Sequence, residues 1–129
     1  MKGLPMKKIL VVDDDPDIRD AIATVLKTAY QIEEAGSGTE ALKQLSTFTP
    51  DLVILDVMME TNSTGFDLAR QIKKIPAPPK ILMLTGVDKE MNIDYKAESG
   101  NADWLPVDDY LTKPVVPKTL LEKIGALIG

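Results

Sequence analysis

The chain has 129 residues, 44% of them hydrophobic and 27% charged, which is enough apolar material for the core of one globular domain. A net charge of −5 without a long basic run argues against direct binding to nucleic acid, because phosphate contact needs a positively charged face. Cysteine and histidine are absent, which excludes disulfides, thiolate or imidazole metal sites and histidine-based catalysis.

Strand-like and helical patterns alternate from the start of the chain. Residues 9–12 are apolar throughout, as in a strand buried on both faces. Asp15-Pro16 then supplies an N-cap and a proline at the first helical position of an amphipathic helix. The apolar positions of this helix are Ile18, Ala21, Ile22, Val25, Leu26 and Ala29. Residues 30–35 predict a weaker strand, and Ser37-Gly38-Thr39-Glu40 has the capping-box pattern of a second helix.

The second half repeats the alternation. A strand ends at Asp56, a polar loop covers 60–65, a third helix covers about 65–74, and a fourth strand covers 80–84. The third helix is expected to bury Phe66, Ala69 and Ile72. A weak helical pattern at 88–97 and a long connection precede the last strand at 109–112. The last helix starts at Pro117 and is expected to turn Leu120, Leu121, Ile124 and Leu127 inward.

Five such repeats predict an α/β fold with a parallel sheet, helices on both faces and right-handed crossovers. We expect one domain over residues 1–129, with its core at about 8–127. No apolar stretch approaches the roughly 20 residues of a membrane span, and none of signal-peptide length follows the N-terminus. The sequence therefore predicts a soluble, cytoplasmic protein without membrane contact.

Four of the predicted strands end at a reactive polar residue. Asp13 and Asp14 follow the first strand, Asp56 closes the third, Thr85 follows the fourth and Lys113 follows the fifth. Open α/β sheets place their ligands at the carboxyl ends of the strands. We therefore expect these five side chains to form one site.

Three clustered carboxylates favour a cation, because two such charges about 4 Å apart repel by roughly 4 kcal/mol at an effective dielectric constant of 20. With oxygen ligands alone, Mg²⁺ fits best, and Mn²⁺ is the alternative. A metal there would orient a phosphoryl group for in-line attack, and Asp56 is the natural nucleophile for an acyl phosphate. Lys113 would bring a second positive charge to that group, and Thr85 a hydrogen bond.

Each of these features has a simpler explanation when taken alone. Asp13-Asp14-Asp15 before a helix is equally well explained by capping and by the helix dipole. The triplet does not open an EF-hand, because the sixth and twelfth positions hold Ile18 and Thr24 instead of glycine and glutamate. A lone Thr85 or Lys113 is more often solvated surface. The joint placement at strand ends is what favours a functional site.

At this point the sequence resembles the receiver domain of bacterial two-component response regulators, over about residues 8–127. The resemblance rests on four segments: Ile9-Leu10-Val11-Val12-Asp13-Asp14-Asp15-Pro16, Asp51-Leu52-Val53-Ile54-Leu55-Asp56-Val57-Met58-Met59, Leu84-Thr85-Gly86 and Asp109-Tyr110-Leu111-Thr112-Lys113-Pro114. It is chemotaxis-receiver-like. It implies a doubly wound sheet of strand order 2-1-3-4-5 with five helices.

The resemblance also implies roles for individual residues. Asp56 would accept a phosphoryl group from a sensor histidine kinase or a phosphotransfer protein. Mg²⁺ would be held by Asp13, Asp14, Asp56 and the backbone carbonyl of Met58. Thr85 would be the switch hydroxyl, Lys113 the phosphate partner and Tyr110 the switch aromatic.

The implied function is a switch that controls binding of a downstream protein. It would act as a monomer or as a phosphorylation-dependent homodimer. It would not be an enzyme, apart from self-catalysed phosphoryl transfer and autodephosphorylation.

The sequence departs from the family pattern in two places. Glu60 stands where the family usually has proline, and the loop 60–64 is about one residue longer, which is expected to bear on kinase choice or phosphoryl lifetime. The stretch 86–109 is several residues longer than usual. Trp104 within it is either a buried anchor, which we favour, or an exposed contact.

Two other functions remain open at this stage. A small Mg²⁺-dependent phosphatase of the haloacid dehalogenase type would use Asp13 as nucleophile and Asp15 as acid, but it needs further acids after the lysine, where only Glu122 follows. A receiver-like binding module that is never phosphorylated would be expected to have lost an acid or Lys113.

Overall fold

The computed structural model describes residues 6–56, 64–85, 107–113 and 115–129, with the side chains of 64–67 outside that description. Five strands and four helices lie within these ranges. In chain order they are β1 (Lys8–Val12), α1 (Pro16–Leu26), β2 (Gln31–Ala35), α2 (Gly38–Leu45), β3 (Leu52–Asp56), α3 (Thr64–Lys73), β4 (Lys80–Thr85), β5 (Asp109–Thr112) and α4 (Pro117–Ile128). Across the described ranges, no helix is long and apolar enough to cross a membrane.

The five strands form one parallel sheet in the order β2-β1-β3-β4-β5. This confirms both the parallel sheet and the order expected from the family resemblance. The chain passes from β1 to one edge of the sheet through β2 and to the other through β3. The strand order therefore reverses between β1 and β3, and such a switch point leaves a crevice at the carboxyl ends of the two strands. Asp13 and Asp56 stand at those two ends.

Helices cover both faces of the sheet, so the strands are buried on both sides. On one face, α2 and α3 pack on alternate strand residues, with Ala41, Leu68, Ala69 and Ile72 buried. On the other face, α1 and α4 pack on the remaining ones, with Ile22, Leu26, Leu120 and Ile124 buried. This double burial explains why β1, β3 and β4 are continuous apolar runs rather than alternating ones.

The predicted helix starts are confirmed. The Asp15 side chain accepts a hydrogen bond from the Asp17 N–H at 2.9 Å, and Pro16 is the first residue of α1. Ser37 caps α2 by accepting from the Glu40 N–H at 3.1 Å. The Glu40 carboxylate reaches one residue further back than a capping box requires and accepts from the N–H of Gly36 at 3.0 Å.

One predicted inward position, Leu121, is wrong, and two apolar positions assigned to the first helix, Ala21 and Ala29, are exposed. Leu121 is 41% exposed, because it lies a quarter turn from the stripe formed by Leu120 and Ile124. Ala21 is exposed on α1, and Ala29 is exposed because α1 ends three residues earlier, at Leu26.

Replacing Leu120 by alanine is expected to lower the free energy of unfolding by about 2–5 kcal/mol, because the change leaves a cavity under α4. The matched change Leu121→Ala removes the same atoms from a half-solvated position and is expected to cost less than about 1 kcal/mol. Urea unfolding of the two variants measures the difference. Equal losses would contradict the orientation of α4.

Several sequence predictions lie outside the described residues. They are the loop at 60–65 up to residue 63, the helix at 88–97, the long connection up to residue 106 and the burial of Phe66. Met58, Glu60 and Trp104 belong to the same undescribed parts of the chain.

Candidate functional site

The register of the sheet brings the predicted residues to one edge. Val12 pairs with Leu55 and Thr85 with Thr112, so β1 and β3 end level with each other, as do β4 and β5. Successive residues of a strand point to opposite faces. By this alternation Asp13, Asp56 and Lys113 belong to the α1/α4 face, whereas Thr85 belongs to the α2/α3 face.

The three predicted acids form a cluster. One carboxylate oxygen from each of Asp13, Asp14 and Asp56 lies within 4.8 Å of the other two. Asp13 is fully buried and Asp56 is 4% exposed, whereas Asp14 is exposed. The cluster thus combines two buried carboxylates with one that is exposed to solvent. Through the exposed side, an ion and an incoming group could reach it.

All polar atoms of Asp13 except Oδ2 make a hydrogen bond. Its N–H donates to the carbonyl of Ala35 at 3.1 Å, and its Oδ1 accepts from the N–H of Asp15 at 2.9 Å. Its main-chain carbonyl accepts from Arg19 Nη1 at 2.6 Å. Oδ2 is buried and finds no hydrogen-bond partner among the described residues. A buried carboxylate oxygen without a partner costs free energy, and a cation beside it would offset that cost.

Burial raises the pKa of the Asp13 carboxyl from 3.8 to about 6. The hydrogen bond from Asp15 and the charge of Lys113 lower this pKa, whereas the negative charges of Asp56 and Asp14 raise it further. The raised pKa therefore reflects mainly the cost of burying the charged carboxylate.

The raised pKa of Asp13 predicts a pH-dependent stability for the metal-free protein. The carboxyl titrates near 3.8 when the chain is unfolded and near 6 when it is folded, so the folded state binds more protons between these values. The contribution of Asp13 is therefore fully present below pH 3.8 and is lost as the pH rises through about 6, by about 3 kcal/mol at most.

Urea unfolding in the presence of a chelator, at pH values on both sides of this window, measures the effect. Other carboxyls titrate in the same range, so the relevant quantity is the difference between wild type and Asp13→Asn. A difference that does not change with pH would contradict the prediction.

Lys113 contacts the acidic cluster at Asp56. Its Nζ lies 3.1 Å from Asp56 Oδ2, and its main-chain N–H donates to the carbonyl of Thr85 at 2.8 Å. The Lys113 side chain is 28% exposed, so its ammonium is partly solvated while it contacts the buried carboxylate. Thr85 itself is fully buried. The structure therefore brings the side chains of Asp56 and Lys113 together, and it joins Thr85 to Lys113 through the main chain. The approach of the Thr85 hydroxyl to Asp56 stays a prediction.

Tyr110 is half-buried against the core under α2 and α3. Its N–H donates to Asp109 Oδ1 at 2.8 Å, while Asp109 Oδ2 lies 3.2 Å from Lys123 Nζ. The same ammonium lies 5.8 Å from the centroid of the Tyr110 ring. Asp109 and Lys123 were missed by the sequence reasoning, because no local pattern connects α4 with β5.

The carbonyl of Met58, predicted as a metal ligand, lies outside the described residues. Arg19 was also missed. It is one polar residue among several on α1, and nothing in its spacing signals contact with Asp13.

Comparison with known proteins places the chain in a family. Residues 9–125 match the family model of the response regulator receiver domain. The chain is 36% identical over 123 residues to the alkaline phosphatase synthesis transcriptional regulatory protein PhoP of Bacillus subtilis, covering 95% of this chain and 48% of that protein. It is 37% identical over 122 residues to the transcriptional regulatory protein ResD of the same organism, covering 94% and 48%. It thus spans about half the length of these relatives.

Solved structures agree with the sequence comparison. The crystal structure of a response regulator signal receiver domain from Bermanella marisrubri matches with a TM-score of 0.79 and 38% identity, covering 96% of this chain and 99% of that one. With these matches and the acidic cluster at the switch point of the sheet, the chain belongs to the receiver domain family of two-component response regulators.

Proposed function

We propose that this receiver domain works as a phospho-acceptor switch, with Asp56 as the residue that is phosphorylated. The observation that carries the proposal is the pairing of Asp56 Oδ2 with Lys113 Nζ at 3.1 Å, beside two further carboxylates at the carboxyl edge of the sheet. A buried nucleophile with an adjacent cation is the arrangement needed to bring a negatively charged phosphoryl group to a carboxylate.

Mg²⁺ fits the acidic cluster, with Mn²⁺ as the alternative. The donors are oxygens only, and Asp13 Oδ2 is buried without a hydrogen-bond partner among the described residues. Asp13, Asp14 and Asp56 would hold the ion, together with the backbone carbonyl of Met58 that the family resemblance implies. When bound, the ion supplies positive charge that offsets the carboxylates and orients phosphoryl oxygens.

In the proposed transfer, a carboxylate oxygen of Asp56 attacks the phosphorus of a phosphohistidine. The P–N bond breaks as the new P–O bond forms, and the electron pair leaves with the imidazole. Lys113, already at the Asp56 carboxylate, would then contact a phosphoryl oxygen, and the Thr85 hydroxyl would donate to another. Hydrolysis of the acyl phosphate by water would return Asp56 to its starting state, which is the autodephosphorylation that we propose.

The effect of phosphorylation at Asp56 would reach the surface of the domain through Thr85 and Tyr110. Tyr110 packs on the α2/α3 face of the sheet, to which Thr85 also belongs by strand alternation. On phosphorylation the Thr85 hydroxyl would move toward the phosphate and the Tyr110 ring would swing inward. We propose that this change controls binding of a downstream protein.

The donor would be a sensor histidine kinase or a phosphotransfer protein in the cytoplasm. The domain would act as a monomer or as a phosphorylation-dependent homodimer, without itself contacting nucleic acid or membrane. PhoP and ResD are named as transcriptional regulatory proteins, and about half of each lies outside the region matched here.

The haloacid dehalogenase alternative gains no support from the site. It needs Asp15 as a general acid, whereas Asp15 is exposed and its Oδ1 accepts the Asp17 N–H as the cap of α1.

Intact-protein mass spectrometry after incubation with acetyl phosphate tests the proposal. We expect one phosphoryl adduct that requires Mg²⁺. Repeated turnover of p-nitrophenyl phosphate without an adduct would instead indicate a phosphatase. If there is no adduct and no Mg²⁺-dependent binding of beryllofluoride, the proposal is wrong and the chain is a non-phosphorylated binding module.

A further inference from the structure

We propose that Arg19 is a positioning residue for the metal site: its guanidinium holds the main-chain turn that carries Asp13 and Asp14. The inference rests on the proposed function, because it concerns the affinity of the same acidic cluster for Mg²⁺. Arg19 would touch neither the ion nor the phosphoryl group.

Arg19 connects three elements. It is the fourth residue of α1, and its side chain is 20% exposed. Nη1 donates to the carbonyl of Asp13, just after β1, at 2.6 Å, and Nε donates to Glu34 Oε1 on β2 at 3.3 Å. The guanidinium is therefore anchored at two points in a planar fork, which a flexible amine could not reproduce.

The bond to Asp13 has consequences for the neighbouring acid. The carbonyl of Asp13, the N–H of Asp14 and the Asp14 Cα lie in one peptide plane. Holding the Asp13 carbonyl therefore holds the Cα of Asp14, the atom from which its exposed side chain extends. The remaining Asp13 contacts, to Ala35 and Asp15, hold the other side of the same residue. Together these contacts fix the backbone and Oδ1 of Asp13, whose carboxylate belongs to the acidic cluster.

Gly36 completes the slot that holds the guanidinium. A Cβ built on Gly36 would lie 3.1 Å from Arg19 Nη1, which is tighter than ordinary van der Waals contact. The N–H of Gly36 is held by Glu40 at 3.0 Å, so the backbone has little freedom to withdraw. A methyl group at this position would press on the same nitrogen that donates to Asp13.

Charge and positioning predict opposite signs for the loss of Arg19. If the guanidinium acted only through its charge, its removal would strengthen Mg²⁺ binding, because a cation near the acidic cluster would be gone. If it acts by holding the turn, its removal weakens binding. Loss of a residue that orients metal ligands typically lowers metal affinity by about 10- to 100-fold.

Isothermal titration calorimetry of the metal-free protein with MgCl₂ distinguishes the charge effect of Arg19 from its positioning effect. We expect Arg19→Met to bind Mg²⁺ about 10- to 100-fold more weakly than wild type. Arg19→Lys keeps the charge and one donor, and is expected to recover part of the loss. Lys27→Met removes an exposed positive charge at the far end of α1 and is expected to leave the affinity within about 2-fold of wild type.

A second pair of variants tests the slot without changing charge. Gly36→Ala should weaken Mg²⁺ binding, whereas Gly125→Ala, whose new methyl group meets nothing within 4 Å, should not. This pair decides the question if Arg19→Met does not fold.

Failure of the inference and failure of the proposed function give different results. Wild type that does not bind Mg²⁺ would overturn both. Wild type that binds Mg²⁺, with Arg19→Met binding equally or more tightly, would overturn the role of Arg19 alone. So would unchanged binding in Gly36→Ala, or equal losses in Arg19→Met and Lys27→Met with no recovery in Arg19→Lys.

Discussion

Replacing Asp56 by asparagine is expected to abolish phosphorylation by acetyl phosphate, with a loss in rate on the order of 10⁴-fold or more, as for removal of other enzymatic nucleophiles. The amide has the volume of the carboxylate, but it carries no negative charge and is a poor nucleophile for phosphorus. It also leaves Lys113 Nζ without the charged oxygen that lies 3.1 Å away in the wild type. Intact-protein mass with Mg²⁺ present measures the adduct.

Asp15→Asn is the matched control, because it removes a neighbouring acid by the same chemical change. Asp15 caps α1, and asparagine is about as good an N-cap as aspartate, so the helix should be preserved. We expect this variant to be phosphorylated like wild type. Undiminished phosphorylation of Asp56→Asn would rule out Asp56 as the acceptor.

Replacing Asp13 by asparagine is expected to stabilise the metal-free protein while it removes Mg²⁺ binding. The burial that raises the pKa of Asp13 to about 6 means that its charged form destabilises the folded state at neutral pH. Asparagine removes that charge, and its Oδ1 can still accept the Asp15 N–H. We expect the free energy of unfolding at pH 7 to rise by about 2–3 kcal/mol, measured by urea unfolding with a chelator.

The matched control for the predicted rise in the free energy of unfolding of Asp13→Asn is Asp14→Asn. Asp14 belongs to the same cluster but is exposed, so its neutralisation should weaken Mg²⁺ binding with little change in stability. Calorimetric titration with MgCl₂ and urea unfolding of both variants separate the two effects. If Asp13→Asn proved less stable than wild type at pH 7, the buried carboxylate would be a stabilising element, and our account of the site would be wrong.

The fold was predictable wherever one local rule governed the structure. The apolar runs of β1, β3 and β4 read directly as strands because both of their faces are covered. The helix starts at Pro16 and Gly38 followed from their capping residues. The order of the strands was not available from periodicity, which is blind to pairing, and came from the family resemblance.

Positions at the margin of a helical stripe were less predictable. Leu121 has the same side chain as Leu120, and only the rotation of α4 on the sheet decides which of the two is buried. Ala21 was misplaced for the same reason. A small apolar residue carries little information about its side of a helix, because alanine is tolerated on both.

The reactive residues of the site were predictable from the sequence, but the residues that hydrogen-bond to them or to their neighbours were not. Asp13, Asp56, Thr85 and Lys113 were found because strand ends of a parallel sheet share one edge. Arg19 contacts Asp13, six residues earlier, and Lys123 contacts Asp109, 14 residues earlier, in each case from a helix to the strand that precedes it or the residue just after that strand. Their roles depend on packing distances that no local pattern encodes.

Reduction of the phosphorylated protein with sodium borohydride, followed by peptide mapping, tests the central claim most directly. Borohydride converts an aspartyl phosphate to homoserine and so marks the residue that carried the phosphoryl group. We predict homoserine at position 56 and at no other aspartate, dependent on Mg²⁺ during phosphorylation. Homoserine at position 13 would contradict the account and indicate the phosphatase nucleophile, and homoserine at any other position would show that the switch-point cluster is not the site of transfer.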